Sequence, residues 1–145
     1  IPNGIPGLET RLPVLFSEGV VKGRIDLQTF VAITATNPAK LFGLAPKKGT
    51  IAVGSDADVV IWDPERKTNI TNEILHHGAD YTTFEGMEVT GWPAMTIAHG
   101  KVICDDGKIL GKAGHGKYLA RAPYDYINPR NKFVIPFNPV EGRLV

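Results

Sequence analysis

The chain has 145 residues and a mass of 15.7 kDa, room for one domain and at most a fragment of a second. Apolar residues make up 43% and charged residues 21%, near the globular average, which argues against wholesale disorder. With 16 Lys and Arg against 15 acids the net charge is +1, so neither a nucleic acid nor an anionic membrane is expected as partner.

The chain opens on Pro2-Asn3-Gly4-Ile5-Pro6-Gly7, a run of turn formers that reads as loop. Leu12, Leu15, Phe16 and Val20 then recur at helical spacing, with Pro13 placed near the first turn and Gly19 and Gly23 around the exit. Asp26 stands as an N-cap ahead of Leu27, Phe30, Val31 and Thr34. Asn37-Pro38 opens a third short helix that Gly43 stops. Beyond residue 46 the period changes to two. Strands are expected at Thr50–Val53 and at Asp58–Asp63, the second ended by Pro64. Ala94–Ala98 and Lys101–Cys104 flank His99-Gly100, a two-residue hairpin signal, and Asp105–Lys108 makes a second tight turn into Ile109-Leu110. Thr68 to Glu88 shows no clear period and is left unassigned. From Gly111 onward, prolines interleaved with Tyr118, Tyr124, Tyr126, Phe133 and Phe137 block helices and central strands. That tail is expected to lie against another surface, the alternative being a disordered terminus.

Reactive groups are few. His76, His77, His99 and His115 match no metal-ligand spacing, and no metal site is expected from this chain alone. Ser17 and Ser55 lie outside any nucleophile elbow. Cys104 reads as strand filler, and as the single cysteine it cannot form an internal disulfide, which points to a reducing, cytoplasmic compartment. Apolar runs such as Val59–Trp62 are far too short for a membrane span, and Ile1-Pro2-Asn3-Gly4 has neither the basic start nor the apolar block of a signal peptide. Asp56 and Asp58 read as turn residues bonding nearby backbone N–H groups, Lys47-Lys48-Gly49 and His99 as solvated turns. The exception is the opening loop. Ile1-Pro2-Asn3-Gly4 can present backbone N–H and C=O groups to a small polar ligand, a plain turn being the alternative.

The segment Lys48-Gly49-Thr50-Ile51-Ala52-Val53-Gly54-Ser55-Asp56-Ala57-Asp58-Val59-Val60-Ile61-Trp62-Asp63-Pro64 resembles the stretch in cyclic amidohydrolases where the chain leaves the barrel and rejoins a β-sandwich. Thr36–Leu44 is similar to the last barrel helices of those enzymes. Ile1–Gly4, Arg11–Val20 and Phe84–Met87 narrow the resemblance to the dihydropyrimidinase and D-hydantoinase branch, with Gly114–Arg121 resembling that branch's tail. The implied fold class is α/β: residues 1–45 the last helices of a (β/α)8 barrel with a substrate loop, 46–110 the C-terminal strands of a small β-sandwich, 111–145 an extended tail. The resemblance further implies a small cyclic amide substrate, a dihydropyrimidine or 5-substituted hydantoin, opened to an N-carbamoyl amino acid. It implies two Zn2+ ions bridged by a carboxylated lysine and held by histidines and an aspartate, all upstream of this chain; hydroxide bridging such a pair attacks the amide carbonyl. The family site residue falling inside the chain is Asn3, whose backbone would bind the substrate ring. No catalytic residue and no metal ligand is expected here. A homotetramer is implied, with the tail packed on a neighbouring subunit. A non-catalytic scaffold of the same fold and a free-standing sandwich interaction module are the alternatives. Because barrel helices bury a face on strands not encoded here, Leu12, Leu15, Phe16, Phe30 and Val31 are expected to lie open in this chain.

Overall fold

In a computed structural model, the structure describes residues 4–121 together with two short strands, Phe137–Asn138 and Arg143–Leu144. Helix α1 (Arg11–Leu15) runs without interruption into a π-helical stretch at Phe16–Val21. Gly23, at φ +66°, ends it: its N–H donates to the Val20 carbonyl at 2.9 Å, and the Arg24 N–H to that of Gly19 at 2.8 Å. This is the left-handed C-terminal cap that glycine adopts at least cost.

Helix α2 (Leu27–Val31) begins as expected at Asp26, whose side chain accepts the Thr29 N–H at 2.7 Å. It passes through a π-helical stretch, Ala32–Thr36, into α3 (Asn37–Leu41). The expected break at Asn37-Pro38 is therefore absent. Proline lacks the N–H that an α-helical turn requires, and the wider turn before it accommodates Pro38 within one continuous rod. Gly43, at φ +67°, repeats the cap of the first helix, with Leu44 N–H on the Ala39 carbonyl at 2.7 Å.

Four antiparallel strands follow in the order β1 (Val59–Asn69), β2 (Glu88–Ala98), β3 (Lys101–Asp105) and β4 (Lys108–Ile109). Both expected hairpins are present. His99 and Gly100 have φ of 48° and 75°, Asp106 and Gly107 of 45° and 77°, the pair of positive values a tight two-residue turn demands. Two expectations fail. Pro64 does not end β1, because it falls in a bulge between Asp63 and Lys67, where no ladder donor is needed. Asp63 Oδ1 supports that bulge by accepting the N–H groups of Glu65 (3.0 Å) and Arg66 (3.2 Å). Thr50–Val53 is loop: Ile51 is 85% exposed, and no strand among the described residues pairs with the segment, so β-branched composition alone does not extend it. The parts of the expected fold class seen here are helices followed by an antiparallel sheet, with no barrel strand among the described residues. The strands β5 (Phe137–Asn138) and β6 (Arg143–Leu144) pair with each other in the tail; Tyr124, Tyr126 and Phe133 lie outside the described residues.

The core forms where the unassigned stretch crosses the sheet. Ile70 (0% exposed), Leu75, Val89 and Trp92 pack together, with Val14, Phe84 and Met87 against them. The Ile70 N–H donates to the Met87 carbonyl and the Gly86 N–H to that of Ile70, folding the β1–β2 connection over these side chains. A second cluster joins the helices to the sheet. The Phe16 ring meets Phe30 edge-on at 5.5 Å between centroids and lies 5.1 Å from Trp62. Phe16 is thus buried within the chain, contrary to the expectation of an open face, whereas Val31 remains exposed.

Candidate functional site

Asn3 lies outside the described residues; the site is described from Gly4 onward. Gly4 has φ +126°, a backbone conformation that side-chain-bearing residues rarely adopt, and the space around its α-carbon is open. Its carbonyl accepts the Tyr81 O–H at 3.0 Å. A few residues on, the chain is pinned to α1: Arg11 N–H donates to the Gly7 carbonyl at 3.0 Å, and Thr10, fully buried, lies at the helix start.

Glu9 ties the same region to the sheet. One carboxylate oxygen accepts the backbone N–H of His76 at 2.8 Å, and the other lies 2.7 Å from His76 Nδ1. His76 Nε2 faces the Gly107 carbonyl at 2.8 Å, in the β3–β4 turn. Both ring nitrogens therefore meet acceptors, an arrangement that only the imidazolium satisfies in full. The Glu9 carboxylate chiefly, helped by the Gly107 carbonyl, holds the His76 pKa above its ordinary value against the opposing effect of burial. A raised folded-state pKa gives stability that is complete below the unfolded value, near 6.5, and is lost as pH rises through the folded value. The pair is partly exposed, so about 0.5 kcal/mol is expected. Urea titrations of wild type and His76→Gln should differ by that amount at pH 5.5 and converge in alkaline buffer; a gap that widens with pH would refute the assignment.

The Lys47-Lys48-Gly49 turn departs from its expected solvated state. Lys48 is only 19% exposed at its side chain and sits between Asp56, at 2.9 Å, and Asp58. Burial alone would lower its pKa, but the two carboxylates outweigh that and raise it. Lys48 in turn lowers the Asp56 pKa. For Asp58, burial acts upward and is overcome by Lys48 and the His99 N–H, which donates to Asp58 Oδ1 at 2.9 Å. The expectation that Asp56 and Asp58 bond nearby backbone N–H groups is not met: Asp56 pairs with Lys48, and Asp58 reaches an N–H in the distant β2–β3 turn. Lys48 bridges the two carboxylates, and the Asp58 bond to the His99 N–H fastens the Lys48–Asp58 loop onto the β2–β3 turn. His99 is half-buried, its ring 5.9 Å from that of His115, and Cys104 is half-buried on β3.

Between the α2–α3 rod and β1 runs a groove of about 830 Å³, lined mainly by apolar groups including Leu12, Leu27, Phe30, Val31, Val60 and Trp62. Leu27 is 56% exposed and Val31 51%. Among the described residues no group of three or more His, Cys, Asp or Glu side chains is arranged to hold a metal ion, so these residues do not fit a zinc pair. No helix of the described structure is long and apolar enough to cross a membrane.

The amidohydrolase family profile matches residues 6–103, and the chain belongs to that family. Within it, the likeness is to D-hydantoinases and dihydropyrimidinases. The chain is 54% identical over 124 residues to the D-hydantoinase of Geobacillus stearothermophilus, an alignment covering 86% of this chain and 26% of that protein. It is 47% identical over 133 residues to the dihydropyrimidinase of Rattus norvegicus, covering 91% and 26% respectively. The crystal structure of dihydropyrimidinase from Brevibacillus agri NCHU1002 superposes with a TM-score of 0.83 at 48% identity, over 86% of this chain and 27% of that one. The chain thus spans about a quarter of the length of the relatives it matches.

Proposed function

We propose that this chain is the C-terminal portion of a zinc-dependent cyclic amide hydrolase that opens dihydropyrimidine or 5-substituted hydantoin rings to N-carbamoyl amino acids. The observation that carries the reading is the 54% identity to a D-hydantoinase over 86% of the chain. Since the described residues do not fit a zinc pair, the reading assigns both Zn2+ ions to residues upstream of Ile1. The chain's own contribution to the site is then the Asn3–Gly4 backbone, which recognises the amide edge of the ring. Backbone recognition depends on how the peptide is aimed, and the positive φ of Gly4 supports a loop shaped for that purpose.

The apolar groove supports the same reading. Leu27 and Val31 are more than half exposed, and burying such side chains stabilises by about 1.5–3 kcal/mol each, so further structure of the same protein covering them is the economical arrangement. We also assign the tail to contact with a neighbouring subunit of a homotetramer: Tyr118 is 93% exposed, leaving its ring free for such a surface. A cytoplasmic location accords with the single, unpaired Cys104.

The test is to express the protein together with its upstream sequence, measure its zinc content, and assay ring opening of dihydrouracil and a 5-substituted hydantoin. A zinc-loaded protein that opens neither ring would overturn the hydrolase reading in favour of a scaffold. In the same protein Gly4→Val, which forces a β-branched residue into φ +126°, is expected to raise KM about tenfold, equivalent to about 1.4 kcal/mol of lost binding. An unchanged KM would remove the loop from substrate recognition.

A further inference from the structure

If the Asn3–Gly4 backbone reads the substrate, as proposed above, something must hold that backbone still. The hydrogen bond at the Gly4 carbonyl comes from Tyr81, 77 positions along the chain, at 3.0 Å. Tyr81 is half-buried and belongs to the connection between β1 and β2. The residues that follow it are fixed. Thr82 is 7% exposed and its hydroxyl accepts the Phe84 N–H at 3.3 Å. The Glu85 N–H donates to the Thr82 carbonyl and the Met87 N–H to that of Phe84, while Phe84 and Met87 pack on the core. The phenol is therefore carried on a turn seated in the core and reaches out to the opening loop.

Holding the Gly4 carbonyl restrains the opening loop at that point. We propose that Tyr81 is a positioning residue: its O–H holds the Gly4 carbonyl so that the Asn3–Gly4 backbone is presented to the amide edge of the ring. Tyr81 acts through the loop, by way of the Gly4 carbonyl.

The test is Tyr81→Phe in the complete, zinc-loaded protein. Losing one hydrogen bond that aims a binding group is expected to raise KM about three- to tenfold, with kcat within about twofold. Zinc content and Tm are expected to match wild type, and backbone amide exchange at residues 3–5 to quicken. Unchanged KM and exchange would overturn the proposal, as would parallel losses of kcat, KM and Tm, which mark a merely structural residue. Should wild type open no ring, the hydrolase reading fails, and amide exchange still decides whether Tyr81 holds the loop: faster exchange in Tyr81→Phe sustains the tether, unchanged exchange removes it.

Discussion

Replacing Gly91 by alanine is expected to destabilise the protein carrying this chain by about 3 kcal/mol. Gly91 lies on β2 opposite the β1 bulge, buried, with φ +96°. A Cβ built there would lie 2.3 Å from Phe16 Cδ1, 2.6 Å from Phe16 Cε1 and 3.0 Å from Trp62 Nε1. The left-handed conformation costs an L-residue roughly 1–2 kcal/mol. Displacing a packed aromatic ring adds about 1–3 kcal/mol, because Phe16 would lose its contacts with Phe30 and Trp62. The measurement is the urea midpoint at unchanged m-value, with Gly78→Ala, where the added carbon meets nothing within 4 Å, as the control. A loss below about 0.5 kcal/mol would show that Phe16 swings aside freely and that the helix–sheet contact is loose.

The second large effect is expected at Ile70. It is 0% exposed and packs with Leu75, Val89 and Trp92. Truncation to alanine removes buried methyl and methylene groups and leaves a cavity bounded by β2 and by the backbone of the connection, for a loss of about 2–5 kcal/mol. Ile70→Val, one methylene smaller, should lose about 0.5–1.5 kcal/mol. Trp92 lines the same cluster, so its fluorescence reports the change directly. Equal losses for the two variants would mean that volume is not what this position supplies.

How far the sequence shows this architecture depends on whether the deciding partner is near or far along the chain. Asp26 and the glycines at 23 and 43 mark helix ends because a cap bonds within a few residues of itself. His99-Gly100 and Asp106-Gly107 mark hairpins for the same reason. The Pro64 bulge has no local signal, because it is defined by the count of residues opposite it on β2. Ile70, Leu75, Phe84 and Met87 form core without any period, since an irregular connection presents its apolar groups wherever the turns allow. In the candidate site, Gly4 was legible as a turn residue, but Tyr81 was not. Its role rests on a contact between segments distant in sequence, and no local pattern encodes that. The same holds for Lys48, read as a solvated charge because its two acids come after a loop that folds back on it. The family resemblance points to the Asn3 loop, where composition alone leaves a plain turn open.

The β1–β2 connection meets the opening loop through Tyr81, the helix start through the His76 contact with Glu9, and the far hairpin through the His76 contact with Gly107, while Ile70 and Leu75 lie in the hydrophobic centre. One ribbon of backbone is thus both keel and mooring. Loop placement and conformational stability are inherited together along it, so a lineage lengthening or shortening this ribbon must re-register the opening loop at the same time, whereas the outlying Ile51–Gly54 bend is free to drift.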